Sequence, residues 1–126
     1  MKTVTIPQDY HHIAPDGAEI RELLENQHAG IAQGFLPTGV VSKTFRHKTV
    51  SEFWYVLSGK GKIWRKDNQE EQITELVPGV TIDIPQGTAF QYRSDEDLTF
   101  IIVTMPPWPG ADEAVEIDTG KWQSSN

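Results

Sequence analysis

Short runs of Val, Ile, Thr and aromatic residues, each ended by glycine, proline or a polar turn, constrain the fold of this chain most strongly. Regularly spaced runs of this composition predict β-strands. The predicted strands are 31–36, 40–47, 52–57, 62–66, 72–76, 80–84, 89–93 and 98–105. No helical segments alternate with them, so the pattern predicts an all-β sandwich or barrel and not a helix-covered parallel sheet.

Composition restricts the classes of function. The 126 residues suffice for one domain with a buried core, and they include no cysteine, which excludes disulfides and thiolate sites. The formal net charge of −7 is spread along the chain and repels a phosphate backbone, so we expect no nucleic-acid partner. The apolar runs are too short to span a membrane and no signal-peptide core is seen, so we expect a cytoplasmic protein without membrane contact.

Two terminal segments flank a predicted core at about 31–105 within a single domain over 1–126. Within segment 1–30, residues 16–24 fit a helical turn by their capping-box spacing, and they fit an edge strand equally well. Segment 106–126 is rich in proline, glycine and acidic residues. It is predicted to be an irregular arm, with Trp108 and Trp122 as anchors on the barrel or on a partner subunit.

A glycine-bounded hairpin carries the first recognisable motif. Gly39, His47, Glu52 and Gly59 have the spacing of the first cupin motif, which runs from glycine through two histidines and a glutamate to glycine. Phe45 stands where the first histidine of that motif belongs. This segment therefore resembles a cupin metal hairpin that lacks one ligand.

A second segment strengthens the resemblance. Gly79, Pro85 and Gly87 match the second cupin motif, whereas Phe90 replaces its histidine and Ser94 its asparagine. With both motifs in order and correctly separated, the chain resembles small single-domain cupins of the RmlC-like family. The resemblance implies a cupin double-stranded β-helix, that is, a jelly-roll β-barrel.

The resemblance also implies a site inside the barrel. Complete cupin motifs hold a divalent transition metal with three histidines and one glutamate, and only His47 and Glu52 remain here as residual metal candidates. Two protein ligands rarely fix such an ion, so we expect no cofactor, with a divalent transition metal as the alternative. His11, His12 and His28 lie outside the ligand positions, and the first two are predicted to be a solvated surface pair.

Side chains alternate across a strand, so an inward His47 brings Phe45 with it and an inward Glu52 brings Trp54. We predict an aromatic-lined pocket for a small molecule, formed by Phe45, Trp54, Phe90, Tyr92 and Ser94. In the cupin arrangement His47 and Glu52 lie within contact reach, where Glu52 favours protonated His47 and prepares this catalytic dyad for acid/base chemistry.

Three interpretations of the site stay open, so whether the protein is an enzyme stays open too. The first is a metal-independent small-molecule-binding protein with acid/base activity. The second is a metal-dependent dioxygenase or isomerase with an incomplete ligand set, and the third is a non-enzymatic ligand-sensing module. The plainer alternative is that His47 and Glu52 are an idle buried pair and that the aromatic residues only fill the barrel.

The resemblance further implies a homodimer formed through edge strands and the terminal segments. The alternative is that the arm over 106–126 folds back on its own barrel.

Overall fold

The computed structural model describes residues 1–125, which form a curled antiparallel sheet of nine strands. The strands are β1 His12–Ile13, β2 Glu19–Glu25, β3 Gly30–Leu36, β4 Thr44–His47, β5 Ser51–Lys66, β6 Glu71–Leu76, β7 Thr81–Ile84, β8 Ala89–Met105 and β9 Ala114–Ile117. A single 3-10 turn of helix, Ala111–Glu113, precedes β9.

The two long strands, β5 and β8, give the sheet its closed shape. The first part of β5 pairs with β7 and with the second part of β8, which also pairs with β3. The second part of β5 pairs with β6 and with the first part of β8, beside β4 and β9. Each long strand thus belongs to both halves of the structure. The predicted all-β jelly-roll barrel is confirmed.

The sequence predicted a break in β5 at residues 58–61 and in β8 at 94–97, and both predictions are wrong. The two turn-like segments face each other, and the ladder between them continues through register shifts on either side of Ser58 and Lys60. Gly59 has φ of +94°, and a Cβ there would overlap the carbonyl oxygen of Asp97. The glycine therefore permits a bulge and a close backbone approach within one bent strand.

The N-terminal segment joins the sheet as a strand, so the helical alternative for residues 16–24 is wrong. β2 pairs with β3 in a register that sets Ile20 opposite Gly34, and it pairs with β1 on its other side. Ile20 is buried against the core. Pairing with a preformed strand satisfies the backbone and buries the apolar side chains, which a single isolated helical turn cannot do.

The C-terminal arm folds onto its own barrel and is not irregular throughout. β9 pairs with β4 over four residues. Farther along, the backbone N–H groups of Lys121 and Trp122 donate to the side-chain oxygen of Gln91, at 2.9 and 2.8 Å. The Arg93 guanidinium lies 4.9 Å from the centre of the Trp122 ring. The arm therefore folds back on its own barrel, which was the alternative to packing on a partner subunit.

Large side chains fill the barrel interior. Trp54 stacks on Phe100 with 4.5 Å between ring centroids, and Tyr92 packs edge-on against both. Leu36, Ile63 and other aliphatic side chains complete the core. No helix within residues 1–125 has the length and apolar character needed to cross a membrane.

Candidate functional site

A cavity of about 120 Å³ opens at one end of the barrel, beside the aromatic core. Its aromatic lining consists of Phe45, Trp54, Phe90 and Trp108. Its ionisable lining consists of His12, Asp16, Glu22, His47 and Glu52. The volume is close to that of buried apolar cavities that admit a single aromatic ring.

The strands β4, β5 and β8 place the predicted residues on the cavity wall. On β4, Phe45 and His47 point inward while Arg46 between them is exposed. Phe45 lies opposite Phe90 in the β4–β8 ladder, and the rings of His47 and Phe90 are 5.1 Å apart. The strand periodicity expected from the sequence therefore holds on this wall.

Glu52 is fixed on the cavity wall by two donors. Its Oε1 accepts a hydrogen bond from the Trp54 indole N–H at 3.0 Å, and its Oε2 accepts one from the Thr104 hydroxyl at 2.8 Å. Burial raises the pKa of Glu52, and these two hydrogen bonds only partly offset the rise. Glu52 thus exchanges its proton nearer to neutral pH than an exposed glutamate.

His47 is buried on the wall of the same cavity as Glu52. No hydrogen bond or ion pair joins them in the described chain, and His47 Nδ1 has no hydrogen-bond partner there. Burial lowers the pKa of His47, and the charges of Asp16 and Glu113 oppose that effect without cancelling it. The expected dyad, with Glu52 favouring protonated His47, is therefore wrong. Desolvation dominates, and His47 is neutral at pH 7.

Asp16 adds an ionisable group that the sequence had not indicated. Burial raises its pKa to about 6, while a hydrogen bond from the Ala18 backbone N–H and the nearby Tyr92 hydroxyl lower it in part. That hydroxyl makes no hydrogen bond of regular geometry within residues 1–125, so its interaction with Asp16 is electrostatic. Burial and the Asp16 charge together raise the pKa of Tyr92.

Tyr92 and Ser94, two of the predicted pocket residues, lie outside the cavity lining. Tyr92 is fully buried beneath Trp54. The Ser94 hydroxyl donates to the Pro37 carbonyl and accepts from the Val40 N–H at 3.2 Å, so it supports a turn at the far end of β3. Alternation had placed both on the inner face, but it could not say how far along the barrel the cavity extends.

Several cavity residues come from the terminal segments, outside the predicted core. His12 lines the cavity and its Nδ1 lies 3.6 Å from Glu22 Oε1. Both His11 and His12 are exposed, as predicted. Trp108 stands edge-on to His47 at 5.3 Å. Strand alternation could have indicated Glu22, which lies two residues after the buried Ile20. It could also have indicated Thr104, which lies two residues after the buried Ile102 on β8. His12 and Trp108 are positioned by tertiary contacts alone.

The site does not fit the divalent metal that its fold resemblance implies. Two of the four motif ligand positions hold Phe45 and Phe90, and both side chains are buried, with the Phe90 ring beside those of His47 and Trp54. No cluster of three or more His, Asp or Glu side chains within residues 1–125 is arranged to hold a metal ion. A closed site needs three or four protein ligands.

One protein is similar in sequence, and the solved structures are similar in fold. An uncharacterized protein from Methanocaldococcus jannaschii is 29% identical over 111 residues, which cover 82% of this chain and 86% of that protein. The fold resembles oxalate decarboxylase from Bacillus subtilis, with a TM-score of 0.77, 16% identity and 92% of this chain covered. It also resembles the capsular polysaccharide assembling protein CapF from Staphylococcus aureus, with a TM-score of 0.68, 19% identity and 86% covered.

The chain spans about a third of the length of those solved structures, 32% and 31% respectively. At these identities the likeness concerns the fold alone. The sequence model of the cupin domain matches residues 33–105, which is more than half of the chain and includes both glycine-bounded motifs. The chain therefore belongs to the cupin domain family.

Proposed function

We propose that this protein binds a small molecule in the barrel cavity without a resident metal and exchanges protons with it. The cavity itself carries the proposal: about 120 Å³ of space, walled by four aromatic rings and bordered by ionisable side chains. A concave, mostly apolar site with a few polar groups is the usual form of a small-molecule site. A purely structural core would fill this volume with side chains, since empty space weakens packing.

Two separate groups, and not a dyad, are suited to acid/base chemistry. Burial raises the pKa of Glu52 toward neutral pH and lowers that of His47 below its usual 6.5, so the two pKa values come closer together. At pH 7 the neutral imidazole of His47 serves as a base, and the carboxyl of Glu52 serves as an acid in the fraction that is protonated. Groups whose pKa values approach the working pH are the effective proton donors and acceptors in active sites.

Metal independence rests on the ligand positions. Bacillus subtilis oxalate decarboxylase has Mn(II) centres. In the present chain, Phe45 and Phe90 occupy two of the ligand positions of the cupin motifs. Metal analysis of untagged protein tests this point. We expect no stoichiometric iron, manganese, nickel or zinc in the wild type, and stoichiometric zinc in Phe45→His/Phe90→His. Stoichiometric metal in the wild type that Glu52→Gln removes would refute metal independence.

Small-molecule binding is tested by screening a fragment library with protein-observed NMR. We expect shift changes to cluster on the cavity wall, around Trp54 and Trp108. Ala32→Leu adds a side chain to the cavity lining and should abolish those changes, whereas Ala111→Leu, at an exposed position, should leave them intact. Fragments that bind both variants equally well would show that the cavity is not the site.

We also propose a homodimer, formed on a surface other than the terminal arm. The outer face of β5 exposes Phe53, Tyr55 and Leu57, each between 43% and 50% accessible. Two uncharged rows cross β3, β8 and β5 there: Ile31, Val103 and Phe53, then Gln33, Ile101 and Tyr55. These two rows are uncharged on β3, β8 and β5, although Arg21 on β2 and Asp83 on β7 lie at their ends. On a chain of net charge −7, a second copy meets little repulsion there.

Sedimentation tests the dimer. Tyr55→Glu should convert it to a monomer, because a charge would be buried at the contact. Tyr10→Glu, a matched change at an equally exposed tyrosine outside this face, should not. A wild type that is monomeric at high micromolar concentration ends the proposal.

A further inference from the structure

We propose that the barrel cavity selects a small organic cation, that is, a protonated or quaternary amine joined to an apolar group about the size of one aromatic ring. This inference rests on the proposed small-molecule site and names the chemical class of its ligand. It follows from the charges and rings that face the cavity.

The first support is the sign of the lining charges. Three carboxyl groups face the cavity, from Asp16, Glu22 and Glu52, whereas His12 and His47 are its only nitrogen bases within residues 1–125. The lining there includes no lysine or arginine. An anionic ligand would therefore enter a site without a fixed positive charge, which the desolvation cost of a buried carboxylate strongly disfavours.

The second support is the state of those groups near pH 7.5. With a pKa of about 6, Asp16 is ionised. Burial lowers the pKa of His47, so its ring is uncharged and cannot repel a cation. Glu22 Oε1 lies 3.6 Å from His12 Nδ1, and the Glu22 side chain is 66% exposed. The electrostatic potential within the cavity is therefore negative.

The third support is the arrangement of the aromatic rings. Phe90 stands between His47 and Trp54, with ring centroids 5.1 and 6.0 Å away. Trp108, 37% exposed, also lines the cavity, and its ring is edge-on to that of His47. Aromatic faces combined with carboxylates are the usual recognition elements for organic ammonium groups, and the apolar walls accept the attached group.

The size of the cavity limits the ligand. A volume of about 120 Å³ leaves room for one ring or a short branched chain with its ammonium group. No cluster of three metal-ligating side chains is found in the described chain, so a bare divalent ion is not the cation that the site fits. Aromatic rings and separated carboxylates suit an organic cation, whose charge is spread over a larger group, better than a compact metal ion.

Calorimetric titration at pH 7.5 with EDTA present tests the inference with three probes of equal size: benzylammonium, benzyl alcohol and benzoate. We expect benzylammonium to bind at least about tenfold more tightly than benzyl alcohol, a ratio that corresponds to ~1.4 kcal/mol. We expect no detectable binding of benzoate. The double variant Asp16→Asn/Glu22→Gln should remove the preference for the cation and keep the weaker affinity for benzyl alcohol.

The control variant is Glu19→Gln, on the same strand as Glu22 but outside the cavity lining, and it should retain the preference. Equal affinity for benzylammonium and benzyl alcohol would overturn the cation inference and leave small-molecule binding standing. Tighter binding of benzoate would also overturn it. Failure of all three probes to bind would count against both the cation inference and the proposed ring-sized site.

Discussion

Replacing Asp16 with asparagine should stabilise the protein above pH 6, although it removes a charge next to the cavity. Burial raises the pKa of Asp16 from 3.8 to about 6, which means that the folded protein resists ionisation of this carboxyl. The unfolded chain ionises it freely near pH 3.8. The folded state thus binds more protons than the unfolded state between these values, and stability falls as pH rises through that window.

The size of the effect follows from the shift. A change from 3.8 to about 6 corresponds to about 3 kcal/mol at 1.36 kcal/mol per unit. Because Asp16 keeps part of its surface accessible, solvent screening reduces the effect, and we expect about 1–2 kcal/mol. Asparagine retains the side-chain oxygen that accepts from the Ala18 N–H at 3.1 Å, so the local turn is preserved.

Urea denaturation at pH values from 3.5 to 7.5 measures this effect. The difference in the free energy of unfolding between Asp16→Asn and the wild type should grow from pH 4 to pH 6 and then stay constant. Asp67→Asn is the control, because Asp67 also accepts backbone hydrogen bonds in a turn but lies at the surface. Hydrogen bonds from Gln69 and Glu70 lower the pKa of Asp67, so the stability difference between this control and the wild type should not change with pH between 4 and 6.

Two outcomes would refute the reasoning. A pH-independent difference would mean that the Asp16 carboxyl is not desolvated in the folded state. A variant that becomes less stable as pH rises from 4 to 6 would mean that the ionised carboxylate is stabilised, for example by an unrecognised cationic partner. His47 contributes the opposite slope between its lowered pKa and 6.5. Because the Asp16 charge raises the pKa of His47, Asp16→Asn lowers that pKa further, and His47 therefore adds a part of the pH-dependent difference in the same direction.

Two further predictions concern the framework around the site. Glu113→Gln should lower the free energy of unfolding by about 2–3 kcal/mol. The buried carboxylate of Glu113 accepts hydrogen bonds from the Thr49 N–H and hydroxyl, at 2.7 and 2.5 Å, and hydrogen bonds to a charged group are the stronger ones. Urea denaturation measures the loss beside the control Glu116→Gln, whose carboxylate is largely exposed, and equal losses in the two variants would contradict the prediction. Gly59→Ala should cost about 3 kcal/mol or more in thermal unfolding, because its Cβ would overlap backbone at a positive φ. Gly79→Ala, at a similar φ with nothing within 4 Å, should cost only about 1–2 kcal/mol, and a reversed order would refute the steric account.

The fold was predictable because its signals are local. Alternating apolar residues and glycine positions define the strands, and the glycines at 39, 59, 79 and 87 all have the positive φ expected of turn residues. The errors occur where local and tertiary preferences conflict. Residues 58–61 read as a turn, but the opposite segment of β8 provides hydrogen-bond partners that keep β5 continuous.

Half of the site was predictable for the same reason. Phe45, His47, Glu52, Trp54 and Phe90 line the cavity because strand alternation fixes which side chains point inward. The sequence also indicated that two metal-ligand positions are occupied by phenylalanine. From these residues it determined an all-β barrel with an aromatic interior and an incomplete ligand set.

Only the tertiary structure decided the charge and the extent of the cavity. His12, Asp16 and Trp108 come from segments outside the predicted core, and the N-terminal strands reach the barrel because β2 pairs with β3 and β3 pairs with β8, which is distant in sequence. Whether His47 meets Glu52 also depended on packing. Burial then set the pKa of each group, because desolvation is a property of the assembled barrel and not of any local pattern of residues.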